Sequence, residues 1–142
     1  MKALALLAWM LCFPALAAPA GEPTLASAEW NAIRKVIGEQ LDALKAGDGA
    51  RAMTFASPGI RDQFGTPDNF MRMVRDGYGA LLTARRTQFL EGAVIEGAIV
   101  QPLRLILPDE SVLVALYQMQ KQRDGTWRIA GCVIAPSTVQ ST

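Results

Sequence analysis

Residues 111–135, SVLVALYQMQKQRDGTWRIAGCVIA, give the clearest indication of the fold. Two runs rich in apolar residues flank the turn residues Asp124 and Gly125, a pattern typical of two strands joined by a tight turn. We therefore predict an antiparallel hairpin across residues 122–126. The second strand of this hairpin is apolar at most positions, so we expect it to be buried on both faces.

Two more segments upstream have strand-like composition. They are ARRTQFLEG at residues 84–92 and AVIEGAIVQPLRLILPDE at residues 93–110, with breaks at Gly92 and Gly97. Pro102 lacks a backbone donor, so we predict that it occupies an edge or a bulge and not a central strand. Together with the hairpin, these segments predict an antiparallel sheet of about four strands.

The residues before Gly79 have helical spacing instead. One apolar stripe predicts a helix at about 28–46, and its members are Trp30, Ile33, Ile37, Leu41 and Leu44. Ser27 is its expected N-cap and Gly47 its C-terminal stop. Further helices are expected at about 49–56, after Asp48, and at about 67–76, after Thr66, with a single turn after Ser57-Pro58.

This order of elements, helices first and strands afterwards, indicates a segregated α+β domain. We assign one such domain to residues 27–136. A short linker at 18–26 precedes it, and a flexible tail at 137–142 follows it.

The first 17 residues have the layout of a secretory signal peptide. Lys2 precedes an apolar run from Ala3 to Phe13, and Ala15-Leu16-Ala17 provides the small residues that signal peptidases require. The apolar run is shorter than the roughly 20 residues of a membrane span. We predict cleavage after Ala17, release as a periplasmic or secreted protein, and no membrane span afterwards.

Cleavage changes the charge and the cysteine content. It removes Lys2 and no acidic residue, so 13 basic residues remain against 13 acidic ones. A neutral chain offers no electrostatic reason to bind nucleic acid. Cleavage also removes Cys12, so Cys132 is left as the one cysteine and an internal disulfide cannot form.

Three stretches together resemble a known family. They are FASPGIRDQFGTPDNFMRMVRDGY at 55–78, VQPLRL at 100–105 and ALYQMQKQRDGTWRIAGCVI at 115–134. They are similar to the bacterial exported proteins of the DUF4864 family. DGTWRIAG also resembles the final hairpin of the wider NTF2-like, or SnoaL-like, superfamily. The resemblance implies helices packed into a curved sheet, as in an NTF2-like or cystatin-like cone, and it implies no established activity.

The residue types present exclude several kinds of catalysis. The chain has no histidine, which rules out Ser-His-Asp and Cys-His mechanisms and removes the commonest metal ligand. With one cysteine, no usual zinc site can form, so no metal and no cofactor are expected. A general base would have to be a carboxylate, and Asp76 beside Tyr78 is the candidate.

Cys132 lies in the middle of the final apolar strand. We expect Ala130 and Ile134 to share its face, and Trp127, Ile129 and Val133 to point the other way. An inert core thiol is the favoured interpretation. A position in the wall of a ligand pocket and an intermolecular thiol are the alternatives.

Polar groups among apolar neighbours are the remaining candidates. Gln101 is in phase with Leu103 and Leu105, so it should point into the core, and Tyr117 is placed similarly on the next strand. One interpretation is structural, with Gln101 bracing the turn around SPGI or DGYG. The other is a small-ligand pocket beneath the sheet, with the lining Tyr78, Gln101, Tyr117, Met119 and Cys132.

These observations favour an exported, non-enzymatic module that binds a small apolar or amphipathic ligand or a protein partner, with a homodimer through the outer sheet face as a further expectation. The alternative is a proton-transfer isomerase or hydrolase that uses Asp76 with Tyr78 or Tyr117. A carboxylate facing an enclosed cavity would distinguish the enzyme from the binding module.

Overall fold

The computed structural model describes residues 24–137. The predicted signal peptide, residues 18–23 of the predicted linker and residues 138–142 of the predicted tail lie outside this range. The helices are α1 (Ser27–Lys45), α2 (Gly49–Thr54), α3 (Pro58–Phe64), α4 (Pro67–Gly77) and α5 (Gly79–Thr83). The strands are β1 (Arg86–Phe89), β2 (Ala93–Ile95), β3 (Ala98–Ile106), β4 (Val112–Lys121) and β5 (Trp127–Pro136). Helices precede strands, which confirms the predicted α+β class.

The strands form one antiparallel sheet in the order β1-β3-β4-β5, and β2 pairs with the first part of β3. The sheet has five strands and not about four, because the long segment after Gly92 folds back on itself. Glu96 and Gly97 make that turn with positive φ angles of 51° and 81°. Such angles suit a two-residue hairpin loop.

Pro102 does not occupy the edge or bulge that its chemistry suggested. It lies in β3, which has neighbours on both sides, and it pairs with Leu116 of β4. Its carbonyl oxygen accepts a hydrogen bond from the Leu90 nitrogen at 3.1 Å, on the side away from β4. The backbone nitrogen of a strand residue points to the same side as its carbonyl. The missing donor therefore faces the gap where β1 has ended and β2 has not begun.

The predicted hairpin between β4 and β5 is confirmed, but a β-bulge changes which side chains share a face. Gln118 pairs with Gly131, whereas the next residue, Met119, pairs with Ile129. Ala130 is therefore the extra residue of the bulge, and the alternation of side chains shifts by one there. Trp127 and Ile129 consequently lie on the same face as Cys132, which corrects the expectation that they point away from it.

The predicted caps of three helices are confirmed. The side chains of Asp48, Ser57 and Thr66 accept backbone hydrogen bonds at the starts of α2, α3 and α4. Ser27 is not the N-cap of α1, because the helix already includes it and Ala26 takes the cap position without a side-chain bond. Helix α3 has two turns where one was expected. The short helix α5 was not predicted, since five residues are too few for a periodic pattern.

The core lies between the helices and the inner face of the sheet. Helix α1 contributes Ile33 and Ile37, and β3 contributes Leu103 and Leu105; all four are buried. The outer face of the sheet has no helical cover among the described residues. Val133 of β5 is 62% exposed there, so the expectation that β5 is buried on both faces is wrong.

Candidate functional site

A cavity of about 290 Å³ lies between the helices and the end of the sheet formed by β5. Most of its wall is apolar. The apolar wall residues of the helices are Leu44, Ile60, Phe64, Phe70, Met73, Val74 and Leu81. The predicted face of α4, with Phe70, Met73 and Val74, thus forms part of the wall.

The cavity runs from the surface into the core. Gln63 of α3 lines it and is exposed, whereas Tyr117 of β4 lines it and is only 1% exposed. A shallow groove on the surface shares Ile60, Gln63 and Ala130 with the cavity. The residues shared with this groove therefore lie at the surface end of the cavity, and Tyr117 lies at its buried end.

Tyr117 has a buried hydroxyl group without a hydrogen-bond partner among the described residues. A polar group left in this state destabilises the folded protein by about 1–3 kcal/mol. Burial, reinforced by the neighbouring Cys132 thiol, raises the pKa of Tyr117 well above its ordinary value of 10.0. The hydroxyl therefore keeps its proton at physiological pH and is a neutral donor.

Tyr78 is a second tyrosine in the same wall, and its hydroxyl is already engaged. It donates a hydrogen bond of 2.9 Å to the carbonyl oxygen of Cys132. The Cys132 side chain also lines the cavity, and burial raises the pKa of its thiol from 9.0 to about 12. This thiol remains protonated at neutral pH, so its sulfur is unreactive there. Cys132 is only half-buried and lines the cavity, which corresponds to the alternative position in a pocket wall and not to the favoured position in the core.

The outer edge of β5 forms one side of the cavity. Ile129 at this edge bonds to the segment before α3, through the Phe55 oxygen and the Ser57 nitrogen, each at 2.8 Å. Tyr78 covers the edge again at Cys132. The bulged pair Ala130 and Gly131 lies between these two covered positions and lines the cavity. The bulge therefore places backbone, and not a large side chain, against the open space.

Gln40 of α1 is a buried polar residue of the wall that the sequence pattern did not predict. Its amide nitrogen donates a 3.2 Å hydrogen bond to the Ala52 carbonyl oxygen. This contact fixes the side chain and leaves its oxygen, Oε1, as a group that can accept a hydrogen bond. Its position in the sequence, four residues from Leu44 on the same helix, was the only signal of it.

The structure brings together Tyr78, Tyr117 and Cys132 from the predicted pocket, but not the other two residues. Met119 is core and does not line the cavity. Gln101 is buried as expected, yet it braces neither SPGI nor DGYG. Its amide nitrogen donates to the carbonyl oxygens of Leu90 at 2.7 Å and Pro102 at 2.9 Å, and its oxygen accepts from Arg34. Gln101 thus holds the connection between β1 and β2.

The wall of the cavity contains no Asp, Glu, Lys or Arg among the residues that the structure describes. Asp76 is exposed and does not line it. Between residues 24 and 137, acidic, cysteine and histidine side chains form no group of three that could hold a metal ion. In the same range, every helix is too short or too polar to cross a membrane.

Comparison with known proteins assigns a family over almost all of the described residues. No curated protein matches the chain. The model of the family described as "Domain of unknown function (DUF4864)" matches residues 26–142, which include every helix and strand described above. The chain therefore belongs to the DUF4864 family.

Proposed function

We propose that this protein is a non-enzymatic module that binds a small, mostly apolar ligand in the cavity beneath its sheet. The unpartnered hydroxyl group of Tyr117 is the observation that carries the proposal. A buried polar group normally finds a hydrogen-bond partner in the folded chain. Tyr117 lines the cavity, and other atoms of the wall cover its hydroxyl oxygen, so a bound molecule can supply that partner after a small shift of these atoms.

The size and the polarity of the cavity support the same function. Ligand sites are largely apolar clefts with a few placed polar groups, and typically start at roughly 300 Å³. The cavity here has about 290 Å³, mostly apolar walls, and the polar groups of Tyr117 and Gln40. A compact molecule of one or two rings, or a short branched chain, matches this volume.

The alternative, an enzymatic function, has no candidate general base in the described wall of the cavity. It required a carboxylate facing the cavity, and Asp76 is exposed and outside the wall. Neither tyrosine has a carboxylate beside it in the wall to accept a proton. We therefore favour binding over proton transfer.

We also propose that the protein acts outside the cytoplasm, after removal of residues 1–17. The support is the sequence alone, with Lys2, the apolar run and the small residues Ala15 and Ala17 before the predicted cleavage site. In that location one NTF2-like domain would present the cavity to periplasmic or extracellular small molecules. Mass determination of the exported protein tests the predicted cleavage after Ala17.

Native mass spectrometry of protein purified gently from an exporting host tests the binding function. We expect a non-covalent small mass on the wild type. Met73→Trp should remove it, because Met73 is half-buried in the wall and an indole there fills the cavity. Arg72→Trp is the matched control, since it adds the same bulk to the exposed side of the same helix and should retain the ligand.

Two results would contradict ligand binding in this cavity. If the wild type carries no extra mass and binds no member of a panel of small neutral aromatic compounds, the cavity is not a ligand site. Equal retention by both tryptophan variants would place the ligand elsewhere on the protein.

A homodimer through the outer face of the sheet stays a prediction. Leu116 and Val133 expose apolar side chains there, at 38% and 62%. Light scattering should give twice the chain mass, and Val133→Lys should return the mass to that of one chain. A single-chain mass for the wild type would contradict it.

A further inference from the structure

We propose that the ligand is an uncharged molecule that presents a carbonyl-type acceptor oxygen to the hydroxyl group of Tyr117. This inference rests on the proposed function and names the chemical class that the same cavity selects. It follows from which polar groups of the wall are already engaged, which buried side-chain donor is free, and which charges are missing.

The two tyrosines of the cavity wall differ in whether their hydroxyl groups are already hydrogen-bonded. The Tyr78 hydroxyl donates to the Cys132 carbonyl oxygen at 2.9 Å, so its proton is not available to a ligand. The Tyr117 hydroxyl, on the same wall, has no partner among the described residues. Burial holds the pKa of Tyr117 far above neutrality, so this group always offers a proton and never a negative charge. An acceptor oxygen is the natural complement of such a donor.

The composition of the cavity wall disfavours charged ligands. Within the described part of the chain, no basic side chain lines the cavity, so a carboxylate or phosphate at the buried end would have no counter-charge. No acidic side chain lines it either, so an ammonium group would also be unpaired. Burying an unpaired charge costs far more than one hydrogen bond returns. The cavity therefore discriminates against ions as well as against pure hydrocarbons.

Three compounds of the same shape separate these contributions. 2-Acetylnaphthalene carries the acceptor oxygen, 2-isopropenylnaphthalene replaces that oxygen with a methylene group, and 2-naphthoate carries a negative charge. Each is titrated by calorimetry into the wild-type protein and into Tyr117→Phe, after thermal unfolding has shown that both are folded. The hydrocarbon serves as the internal control, because it cannot accept a hydrogen bond in either protein.

We expect the acetyl compound to bind the wild type about tenfold more tightly than the hydrocarbon, which is the effect of one buried hydrogen bond. Tyr117→Phe should abolish this preference by weakening the acetyl compound, and it should leave hydrocarbon binding unchanged. 2-Naphthoate should bind most weakly to both proteins.

The outcomes separate the two proposals. Equal affinities for the acetyl compound and the hydrocarbon, or an acetyl preference that survives in Tyr117→Phe, would overturn the acceptor inference while the cavity remains a binding site. Tightest binding of 2-naphthoate would overturn it on the question of charge. Failure of all three compounds to bind would overturn the proposed function itself, and the inference with it.

Discussion

The hydroxyl oxygen of Tyr78 lies 2.9 Å from the carbonyl oxygen of Cys132 and donates a hydrogen bond to it. Tyr78 follows the last residue of α4, and Cys132 lies in β5, at the end of the sheet. This one contact ties the helical layer to the strand edge beside the cavity. It also distinguishes Tyr78 from Tyr117, which lies opposite Cys132 on β4 and has a free hydroxyl group.

Tyr78→Phe should lower the free energy of unfolding by about 1 kcal/mol, because it leaves the Cys132 carbonyl oxygen without its donor. Urea denaturation at neutral pH measures the change. If Tyr78→Phe is as stable as the wild type, the contact does not hold the helical layer to β5.

The Cys132 thiol should react slowly in the folded protein. Burial raises its pKa from 9.0 to about 12, and the thiolate is the reactive form. At pH 8 we expect labelling by iodoacetamide to be at least about a hundredfold slower in the native protein than in urea. Rapid labelling of the native protein at pH 8 would place the thiol on the surface.

The same thiol should make stability depend on alkaline pH. A pKa that folding raises contributes stability that is complete below the unfolded value of 9.0 and is lost as the pH rises towards about 12. Cys132→Ala removes this contribution and should lower stability at pH 7 by about 1 kcal/mol through lost packing. The difference between variant and wild type should therefore shrink above pH 9 and change sign before pH 12, because a pKa shift of this size outweighs a packing loss of about 1 kcal/mol. A constant difference would contradict the raised pKa.

Glu29 should make stability depend on acidic pH. Its carboxylate accepts hydrogen bonds from Lys121 Nζ at 2.7 Å and from Trp127 Nε1 at 2.6 Å, which joins the start of α1 to the final hairpin. The Lys121 bond, followed by the Trp127 bond, lowers the pKa of Glu29 below 4.5. Its contribution is therefore present above pH 4.5 and is lost as the pH falls through the lowered value.

Glu29→Gln should consequently be less stable than the wild type at pH 7, with the difference shrinking at pH 3. Denaturation curves at the two pH values test this. Glu110→Gln is the matched control, because the bridge from Glu110 to Arg85 is exposed at both ends and such pairs contribute little. Equal losses in the two variants would show that the Glu29 contacts do not join the helix to the hairpin.

Gln101→Leu should affect stability and not binding. The variant removes the donor for the Leu90 carbonyl oxygen and the acceptor for Arg34, so a loss of about 2–3 kcal/mol is expected. Binding of neutral probes should be unchanged, because Gln101 does not line the cavity. Gln118→Leu, on the exposed outer face, should leave both properties as they are. Loss of binding by a folded Gln101→Leu variant would show that Gln101 contributes to the ligand-binding site.

The sequence predicted the parts of the fold that depend on local interactions. The cap residues Asp48, Ser57 and Thr66 act on backbone groups three positions away, so their pattern is visible in a short window. The hairpin was visible for the same reason. The position of Pro102 was not, because it depends on where β1 ends and β2 begins on a neighbouring part of β3.

The site was harder to predict because it depends on contacts between distant residues. Strand alternation correctly turned Gln101 and Tyr117 inward, but it could not show that one is fully bonded and the other free. The bulge at Ala130 also broke the alternation that placed Trp127 and Ile129. Ile60, Phe64 and Gln40 join the cavity only through the packing of α1 and α3 against β5, which no short window contains.

The stability of Tyr117→Phe in the absence of ligand shows directly whether the buried hydroxyl group of Tyr117 is unsatisfied. If the buried hydroxyl group is unsatisfied, its removal should raise the free energy of unfolding by about 1 kcal/mol, opposite in sign to Tyr78→Phe in the same wall. Urea denaturation of the two variants beside the wild type gives the answer. A loss of stability in Tyr117→Phe comparable to that in Tyr78→Phe would show that the hydroxyl group of Tyr117 already has a hydrogen-bond partner in the folded protein. The cavity would then have no unsatisfied donor to offer a ligand.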